Sequence, residues 1–458
     1  MDTCQVLVIG GGIAGLCAAI SARRAGAGVL LVESAPRWRR GGNSRHARNF
    51  RFCHDQPSPL VAGRYPGAEL ASDLARATAG AGDAALTQQL IEHSYSTPHW
   101  LRDAGVALQP RGKGALPFSR KTAFLLGGGQ AMVNALYARA ERLGVEIRYA
   151  CEAGRPRLCG HRLTEIALRS SSRPDARWES LAAEAIVLAC GGAQGNPAWL
   201  RQHCGERVDG FINRGTPEAR GALFIELLAA GAKEVGDPRR LYLVAVDARS
   251  PAADGGIVTR IRGMPLGLVV DRAGGRRHDE GADRGSTRYA LWGQRLAEYP
   301  GQIGYLLLDA EGLKSAPAAL YPPLIAPDLP TLAGQLGIDA DALERTRQAY
   351  NAALRASPSS DPRPLDPPRT GPARPLERPP FAAYPMRPGL TFTYHGLAVD
   401  AQARVRLHSG ESVANLFAAG TLMAPNLCPQ GYLSGLMLTI GQVFGRLAGE
   451  EAARHVRG

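Results

Sequence analysis

The sequence is poor in lysine and in aromatic residues. Aromatic side chains make up 6% of the chain, and only four of its 54 basic residues are lysines. The net charge is +13, but the arginines are spread along the chain and aromatic residues are few. Nucleic-acid-binding proteins usually concentrate their cations on one face. No nucleic-acid partner is therefore expected.

Long apolar runs and cysteine frameworks are also missing. The richest apolar stretch, 432–449, is interrupted by Ser434, Thr439, Gln442 and Arg446, whereas a membrane-spanning helix needs about 18 uninterrupted apolar residues. The eight cysteines form no CxxC pair, which indicates free thiols. An apolar strand begins within the first six residues, which leaves no secretory signal pattern. We expect a cytoplasmic protein that is not integral to the membrane.

The N-terminal segment has the pattern of a strand, a tight turn, a helix and a second strand. The apolar run Gln5–Ile9 ends in the glycine-rich stretch Gly10–Gly15, Leu16–Arg24 keeps helical apolar spacing, and Gly28–Glu33 is apolar again before its final acid. This order predicts a right-handed parallel βαβ unit. At 458 residues, and at about 150 residues per domain, the chain predicts two to four domains.

Later segments indicate one domain interrupted by another. From about Asp237 to Tyr384 short apolar strands alternate with helical runs, and the prolines of 357–380 preclude regular structure. After this tract, apolar strand and helix patterns like those before Asp237 return. The predicted elements are a helix at 130–143, strands at 145–149 and 185–190 around a hairpin tip at 170–177, a strand at 266–270, helices at 290–299 and 331–356, a strand at 416–420 and a helix at 435–454.

The glycine spacing Gly10-x-Gly12-x-x-Gly15 fits a dinucleotide-binding loop. The first glycine permits the tight turn, the second lets the backbone approach a pyrophosphate, and the third allows close helix packing. The helix N-terminus at Ile13 and Ala14 offers N–H groups to the phosphates. Glu33, at the end of the second strand, is predicted to accept a hydrogen bond from a ribose hydroxyl.

Further glycine clusters favour FAD over NAD, because an extended FAD needs close backbone approach at several distant points. They are Gly41-Gly42-Asn43-Ser44, Ala189-Cys190-Gly191-Gly192 and the LFAAG run that ends at Gly420. At these residues the chain resembles the fumarate reductase/succinate dehydrogenase flavoprotein superfamily, whose members carry GGN(S/T), ATGG and LFAAGE. Cys190 replaces the usual threonine, and Thr421 replaces the usual acid.

Within that superfamily the chain resembles FAD-dependent tricarballylate dehydrogenases. The matching segments are GGNSRHARNFR (41–51), DGGIVTR (254–260), RYALWG (288–293), RPGLTFTYHGLAVD (387–400) and QGYLSGLMLTIGQVFGR (430–446). The resemblance implies an α/β fold with a discontinuous Rossmann-like FAD-binding domain, 1–238 and 386–458, and an inserted α+β capping domain, 239–385. It adds Ser34, His46, Ala47, Arg48, Ser434, Gly435, Leu436 and Met437 to the expected cofactor contacts.

The mode of FAD attachment depends on one alignment. Complex II flavoproteins attach FAD covalently to a histidine in the loop that corresponds to the Ser44 loop of this chain. Aligning on Ser44 puts that histidine at Asn43 and not at His46, so noncovalent FAD is expected. No metal is expected, because the histidines are scattered and Asp279 with Asp283 has the character of a solvated pair.

The resemblance also implies oxidation or reduction of a carbon–carbon bond next to carboxylates. In fumarate reductases an arginine four residues beyond an Asn-Glu pair donates the proton, and here Arg284 follows Asp279-Glu280 at that distance. The resemblance therefore makes Arg284 the first candidate for proton transfer. Tricarballylate-type sequences share Arg288 instead, which leaves a solvated loop charge as the alternative interpretation of Arg284. A Val-Thr-Glu proton relay of the reductases is replaced by Val-Thr259-Arg260.

This replacement favours an extra anion site. In an extended segment Arg260 and Arg262 would share a face, and guanidinium groups bind carboxylates well. Arg249, Thr259, Arg288 and Arg387 complete the expected substrate-binding set.

Two further departures indicate a rebuilt substrate site. A substrate-binding arginine of the reductases falls on Tyr432, and a substrate-binding histidine falls on Phe392, with Tyr394 and His395 just beyond. Tyr432 is expected to hydrogen-bond a carboxylate, or to act as a base if an adjacent cation lowers its pKa. Tyr394 and His395 are further catalytic candidates, although a packed core histidine is an equally good interpretation of His395.

The leading functional hypothesis is an FAD-dependent dehydrogenase of a small polycarboxylate, with tricarballylate to cis-aconitate as the resemblance-based choice. One alternative is a flavin desaturase or oxidase of a different substrate, including a relative of ketosteroid dehydrogenases. The other is a flavoprotein electron-transfer subunit. A membrane-bound iron-sulfur/haem acceptor is an expected partner, which would make the protein peripheral to the inner membrane.

Overall fold

The structure, a computed structural model, describes residues 2–110, 119–173, 175–282, 288–358 and 361–458. The chain divides into two compact units. The first comprises Met1–Asn196, Thr216–Leu241 and Phe392–Gly458, and the second comprises Pro197–Gly215 and Tyr242–Thr391. The segment 197–215, which the sequence analysis assigns to the FAD-binding domain, is thus grouped with the second unit.

The described residues form a mixture of helices and strands in which the parallel strands of the first unit alternate with helices. The helices are α1 (Ile13–Arg24), α2 (Gly67–Thr78), α3 (Ala84–Ser94), α4 (Thr97–Asp103), α5 (Gly128–Arg142), α6 (Pro197–Cys204), α7 (Ala222–Ala229), α8 (Arg288–Ala297), α9 (Ala310–Ser315), α10 (Leu329–Leu336), α11 (Ala340–Ala356) and α12 (Leu436–Arg457). The strands are β1 (Asp2–Ile9), β2 (Val29–Glu33), β3 (Asn49–Arg51), β4 (Thr122–Phe124), β5 (Glu146–Tyr149), β6 (Cys151–Cys159), β7 (Arg162–Ser170), β8 (Glu179–Leu188), β9 (Ile212–Asn213), β10 (Glu234–Asp247), β11 (Leu268–Val270), β12 (Gly304–Leu308), β13 (Leu324–Ala326), β14 (Phe381–Leu397), β15 (Arg404–Arg406) and β16 (Ser412–Ala418).

The first unit is built on a sheet with the strand order β15-β16-β8-β1-β2-β5, to which the antiparallel strands β7 and β6 are added. Strands β16, β8, β1, β2 and β5 run parallel to their neighbours. The predicted βαβ unit and the hairpin before β8 are confirmed. Parallel strands are usually buried on both faces, which explains the unbroken apolar runs of β1 and β2.

Helix α12 packs against α1 unusually closely. Gly441, Gly445 and Gly449 lie four residues apart on α12 and therefore share one face. A Cβ atom added at Gly445 would lie 2.4 Å from the carbonyl oxygen of Ala14, and one at Gly449 would lie 2.2 Å from that of Ala18. This glycine face lets the backbones of α12 and α1 approach each other. The contact fixes the position of α1, which begins directly after the loop Gly10–Gly12.

The second unit contains an antiparallel arrangement of β14, β12 and β11, with β13 also paired to β14. Alternate residues of β12 face opposite cores. Tyr305 and Leu307 pack in the core that includes Tyr350 of α11, whereas Leu306 packs with Trp292 of α8. The period of two along the strand thus places helices on both faces of the sheet, and the expected α+β character is confirmed.

The prediction of one helix across 331–356 is wrong. Helix α10 ends at Leu336, Gly337 adopts a φ of +65°, and Asp339 caps α11 by accepting a hydrogen bond from the N–H of Ala342. Glycine favours that left-handed φ and aspartate favours the N-cap position, so the chain turns there. Described residues 361–380 contain neither helix nor strand, as their prolines predict.

Candidate functional site

The glycine clusters of the first unit meet at one edge of the parallel sheet. Strand β1 leads into Gly10, β8 into Ala189 and β16 into Ala419. Backbone hydrogen bonds connect these ends: the N–H of Gly10 donates to Val32 (2.8 Å), that of Ala189 to Ile9 (2.8 Å) and that of Ala419 to Leu188 (2.9 Å). Ligands of open α/β sheets bind outside the carboxyl ends of the strands, so this edge is the candidate cofactor site.

The three glycines of the first loop differ in what surrounds them. A Cβ atom added at Gly10 would lie 2.4 Å from the carbonyl oxygen of Ala189, and one at Gly15 would lie 1.8 Å from that of Gly10. At Gly12 the nearest atom would be the Ser44 hydroxyl, at 3.3 Å. Gly10 and Gly15 are therefore required by the fold, whereas Gly12 leaves room for an approaching ligand.

The N-terminus of α1 suits an anionic group. Gly12 is its N-cap, and no acidic side chain lies in its first turn. The aligned peptide dipoles favour negative charge at this end. The Ser44 hydroxyl accepts a hydrogen bond from the N–H of Ile13 at 3.0 Å, which joins the GGNS loop to the helix terminus. Ala14 is the second residue of the same helix, and its carbonyl oxygen lies against Gly445 of α12.

Glu33 connects the loops through backbone contacts. It is 5% exposed and accepts hydrogen bonds from the N–H groups of Gly11 (3.2 Å), Ala35 (2.9 Å) and Gly41 (3.3 Å). The Ser34 hydroxyl donates to the same carboxylate at 3.4 Å. Burial raises the pKa of Glu33, although the backbone donors oppose this shift. Contact with a ribose hydroxyl remains a prediction.

The GGNS loop is held from two sides. The side-chain oxygen of Asn43 accepts a hydrogen bond from the N–H of Thr216 at 2.8 Å, and the N–H of Gly129 donates to Ala47 at 2.6 Å. The residues Gly42–His46 form a 3₁₀ helix, and Arg48 accepts a hydrogen bond from the N–H of Leu125. The loop is thus a fixed part of the first unit.

The remaining predicted cofactor residues lie after β8, after β16 and at the start of α12. A Cβ atom at Gly192 would lie 2.7 Å from the Thr393 hydroxyl, and Gly191 has a φ of +79°. Burial raises the pKa of Cys190 to about 11, so its thiol is neutral. Thr421 belongs to the 3₁₀ helix that follows Ala419 and begins at Gly420.

The start of α12 is anchored to β3. Gly435 is the N-cap of α12, and a Cβ atom there would lie 2.8 Å from backbone atoms of Phe50 and Arg51. The side-chain amide of Asn49 donates to the Ser434 hydroxyl at 3.1 Å. Leu436 is buried and Met437 half-buried.

Sequence reasoning missed several residues that shape this site. A Cβ atom at Gly11 would lie 1.8 Å from the Tyr137 hydroxyl, so Gly11 has as little room for a side chain as Gly10 and Gly15. Gly129 and Thr216 hold the GGNS loop but lie far from it in the sequence. The glycine face of α12 had a signal, because its four-residue spacing matches helix periodicity.

The candidate substrate arginines belong to the second unit, where the partners of Arg249 and Arg387 are defined. Arg249 forms a bidentate ion pair with the buried carboxylate of Asp247, at 2.8 and 2.6 Å, and these bonds raise the pKa of Arg249. Nη1 of Arg387 donates to the carbonyl groups of Gly210 (3.2 Å) and Gly301 (2.9 Å). Both guanidinium groups already have partners inside this unit.

Arg260 and Arg262 lie in different environments. Arg260 is 9% exposed and pairs with Val246 in an isolated β-bridge, whereas Arg262 is exposed. The two arginines were expected to share one face, but one of them is buried and the other is exposed. The Thr259 hydroxyl donates to the carbonyl of Gly256 at 3.0 Å and so closes its own turn.

The proposed proton donor lies beyond what the structure describes. Arg284 and Asp283 are outside the described residues, and only the backbone of Arg288, at the start of α8, is described. Asp279 is half-buried and accepts hydrogen bonds from the N–H groups of Thr370 and Gly281. Glu280 is completely buried and pairs with Arg276 at 2.7 Å.

Tyr394 and His395 point to opposite sides of β14, as neighbouring residues of a strand do. The Tyr394 hydroxyl donates to the carbonyl of Gly431, and burial raises the pKa of Tyr394 well above its usual value. Nε2 of His395 lies 2.7 Å from a carboxylate oxygen of Glu234. His395 is 2% exposed and packs edge-on against Phe224. Tyr432 is half-buried in the loop that precedes α12.

Comparisons with known proteins identify the cofactor. The profile of the FAD binding domain family matches residues 5–428. The chain is 26% identical to the fumarate reductase (cytochrome) of Shewanella frigidimarina, over 99% of this chain and 78% of that protein. It is 25% identical to the 4-oxocyclohexanecarboxylate 2-dehydrogenase of Sinomonas cyclohexanicum, over 99% of this chain and 94% of that protein.

A solved structure shows the same fold. The open conformation of a flavocytochrome c3 fumarate reductase superposes with a TM-score of 0.80 at 21% identity, over 100% of this chain and 79% of the other. The chain belongs to the FAD binding domain family, within the fumarate reductase/succinate dehydrogenase flavoprotein superfamily. Its cofactor is FAD, and it is an FAD-dependent oxidoreductase.

The glycine edge fits this cofactor, because Gly12 leaves space beside a helix N-terminus that favours phosphate. Within the described ranges, no group of three or more potential metal ligands occurs. None of the helices in that part of the chain combines the length and apolar character needed to cross a membrane.

Proposed function

We propose that this oxidoreductase acts on a carbon–carbon bond next to carboxylates, with tricarballylate and its oxidised product cis-aconitate as the expected pair. The observation that carries the proposal is the burial of Arg260, which stands where the reductases have a glutamate. An arginine that serves only surface solvation would be exposed, and a guanidinium is well suited to bind a carboxylate in two-pronged fashion. The resemblance of the surrounding DGGIVTR segment supports the same substrate class.

The division of roles between the units is part of this proposal. The first unit would bind FAD and the second would act as the capping domain that supplies cations to the substrate. FAD supplies a hydride acceptor when it is bound. The chain must then hold the carboxylates and remove the more acidic proton, which requires a basic group within hydrogen-bonding reach.

Among the described candidates for proton transfer, we place Tyr432 first, because it stands where the reductases have a substrate-binding arginine. His395 is engaged with Glu234, and the Tyr394 hydroxyl donates to a backbone carbonyl. Arg284 is the rival and lies outside the described residues. Rapid-mixing measurements of flavin reduction separate the two, because Tyr432→Phe should slow reduction by ~10²-fold or more if Tyr432 transfers the proton, whereas Arg284→Lys should then stay near the wild-type rate.

We propose noncovalent attachment of FAD. Asn43 stands at the position where complex II flavoproteins have the linking histidine, and an amide side chain cannot form that bond. The side-chain oxygen of Asn43 accepts a hydrogen bond from the N–H of Thr216, and this bond stabilises the loop.

The substrate is tested by anaerobic bleaching of the flavin. Tricarballylate, succinate and related polycarboxylates are added singly to the oxidised holoprotein, and absorbance near the flavin maximum is followed. Reduction by tricarballylate, and reoxidation of the reduced protein by cis-aconitate, are the expected results. If no polycarboxylate reduces the flavin and no unsaturated polycarboxylate reoxidises it, the proposed substrate class is wrong.

A cyclic oxo acid is the second candidate substrate. The relative from Sinomonas cyclohexanicum is named for 4-oxocyclohexanecarboxylate and matches this chain along nearly its full length. Tyr432 in place of the reductase arginine also suits a substrate that presents a ketone. The same bleaching panel therefore includes 4-oxocyclohexanecarboxylate and a 3-ketosteroid. For reoxidation in the cell, we propose a membrane-bound iron-sulfur or haem protein, in keeping with the cytochrome-linked fumarate reductase among the relatives.

A further inference from the structure

The loop that carries Tyr432 is anchored at both of its ends within the first unit. Near its start, the side-chain amide of Gln430 donates to the carbonyl of Thr78 at 2.7 Å. At its end, Nε of Arg51 donates to the carbonyl of Ser434 at 3.1 Å. Between these anchors lie Gly431, Tyr432 and Leu433. Leu433 packs against the buried cluster that contains Cys53 and Tyr65, and the carbonyl of Gly431 forms the peptide bond that leads into Tyr432.

The carbonyl of Gly431 receives two donors. One is the hydroxyl of Tyr394, and the other is the thiol of Cys428, whose sulfur lies 3.8 Å from this oxygen and 3.2 Å from the carbonyl oxygen of Gln430, so that the one thiol proton is shared between them. Burial raises the pKa of both groups, that of Cys428 to about 12, so both keep the protons that they donate. On its other side Gly431 lies against Ala77, whose carbonyl oxygen would be 1.8 Å from an added Cβ atom.

Tyr394 is itself rigidly held. It is 5% exposed on β14, and the ring of Phe392 packs edge-on against it with centroids 5.3 Å apart. Because the two residues are two apart on one strand, they share a face. A hydroxyl on a buried ring whose orientation is restricted in this way is a precise donor for a loop carbonyl.

We infer that Tyr394 is a positioning residue, which holds the Gly431 carbonyl and thereby sets where the adjoining Tyr432 side chain meets the substrate. The inference rests on the proposed function of Tyr432. It changes the role of Tyr394 from a catalytic candidate to a group that acts through its neighbour. It also explains why a phenol whose pKa is raised by burial is suited to this place, since donation to a carbonyl requires the protonated form.

The test compares four holoproteins: wild type, Tyr394→Phe, Tyr432→Phe and the double variant. Tyr394→Phe should keep normal FAD content and slow flavin reduction by ~10- to 100-fold, the scale of a small misplacement at a reacting centre. Substrate affinity should change less. The double variant should be no slower than Tyr432→Phe alone, because Tyr394 has no effect once its target hydroxyl is gone.

A matched control is Tyr305→Phe. Tyr305 is also 5% exposed and its hydroxyl also donates to a backbone carbonyl, that of Leu336 at 3.4 Å, but in the second unit. It should reduce its flavin at the wild-type rate. Equal slowing in the Tyr305 and Tyr394 variants, or multiplicative slowing in the double variant, would overturn the positioning role.

Hydrogen exchange supplies a readout that needs no substrate. Loss of the Tyr394 hydrogen bond should speed amide exchange in residues 428–435 by ~2- to 10-fold, whereas Tyr305→Phe should leave that segment unchanged. Faster exchange in a protein whose wild type is not reduced by any polycarboxylate would retain the positioning contact and reject the proposed substrate class. Unchanged exchange and unchanged reduction, with an active wild type, would reject the positioning role alone.

Discussion

Replacing Gly12 with alanine should weaken FAD binding about 10- to 150-fold while leaving the apoprotein folded. The φ of Gly12 is −74° and its ψ is −178°, a conformation that alanine adopts without strain. The added Cβ would lie 3.3 Å from the Ser44 hydroxyl and 3.7 Å from the carbonyl oxygen of Gly41. The first contact requires a shift of a few tenths of an ångström in a side-chain tip, so the loop can accommodate the methyl group.

The same methyl group would occupy the space through which a pyrophosphate approaches the helix N-terminus. A hydrogen bond between a backbone N–H and a charged phosphate oxygen contributes about 1.5–3 kcal/mol, so losing one raises the FAD dissociation constant about 10- to 150-fold. At an FAD concentration one hundred times the wild-type dissociation constant, binding stabilises the folded state by about 2.7 kcal/mol. A variant with one-hundredth of the affinity would retain about 0.4 kcal/mol of that.

Two measurements on the deflavinated protein test this. Calorimetric titration with FAD gives the affinity, and thermal melting with and without FAD gives the stabilisation. Gly334→Ala is the matched control, because a Cβ atom there meets nothing within 4 Å and the residue lies in α10. Wild-type FAD affinity in the Gly12 variant would refute the assignment of this loop to the pyrophosphate. An apoprotein that melts well below the Gly334 variant would show that the methyl group disturbs the fold instead.

Three further predictions concern helix packing, cofactor attachment and substrate binding. Gly445→Ala should destabilise the apoprotein by about 1–3 kcal/mol, as overpacking of a tight contact does, and an unchanged melting temperature would show that α12 can move away from α1. Acid precipitation of the holoprotein should release FAD into the supernatant, and yellow colour that stays in the washed pellet would point to a covalent link. Arg260→Ala should weaken polycarboxylate binding by about 10- to 150-fold through loss of a charge-assisted hydrogen bond, while the exposed Arg262→Ala stays close to wild type in a flavin-perturbation titration. Equal effects of the two substitutions would contradict the importance given to burial.

The βαβ unit and the clustering of glycine loops could be predicted from the sequence. Gly10, Ala189 and Ala419 each follow an apolar strand, and strands that run parallel bring their carboxyl ends to one edge. When a helix directly follows such a strand, the loop that connects them must lie at this edge. The order of these local signals therefore accounts for the meeting of the glycine loops at one edge of the sheet.

Other features carried a signal that local reasoning misjudged. Helical apolar spacing continues across Gly337, but the capping aspartate at Asp339 begins a new helix. The spacing of Gly441, Gly445 and Gly449 could have predicted a close helix contact, although it does not say which helix is the partner. That choice depends on how the sheet places α1.

What the sequence by itself determined is the cofactor fold, because its motifs join residues that are near neighbours along the chain. Only the tertiary structure decided which polar side chains form hydrogen bonds with residues that are distant in the sequence. His395 meets Glu234, which is 161 residues away, and Tyr394 meets Gly431, which is 37 residues away. Hydrogen bonds between distant segments exist only after the sheet and its helices have packed. Tyr394 and His395 are adjacent, and the sequence made both of them catalytic candidates. In the structure they lie on opposite faces of a strand and have different partners.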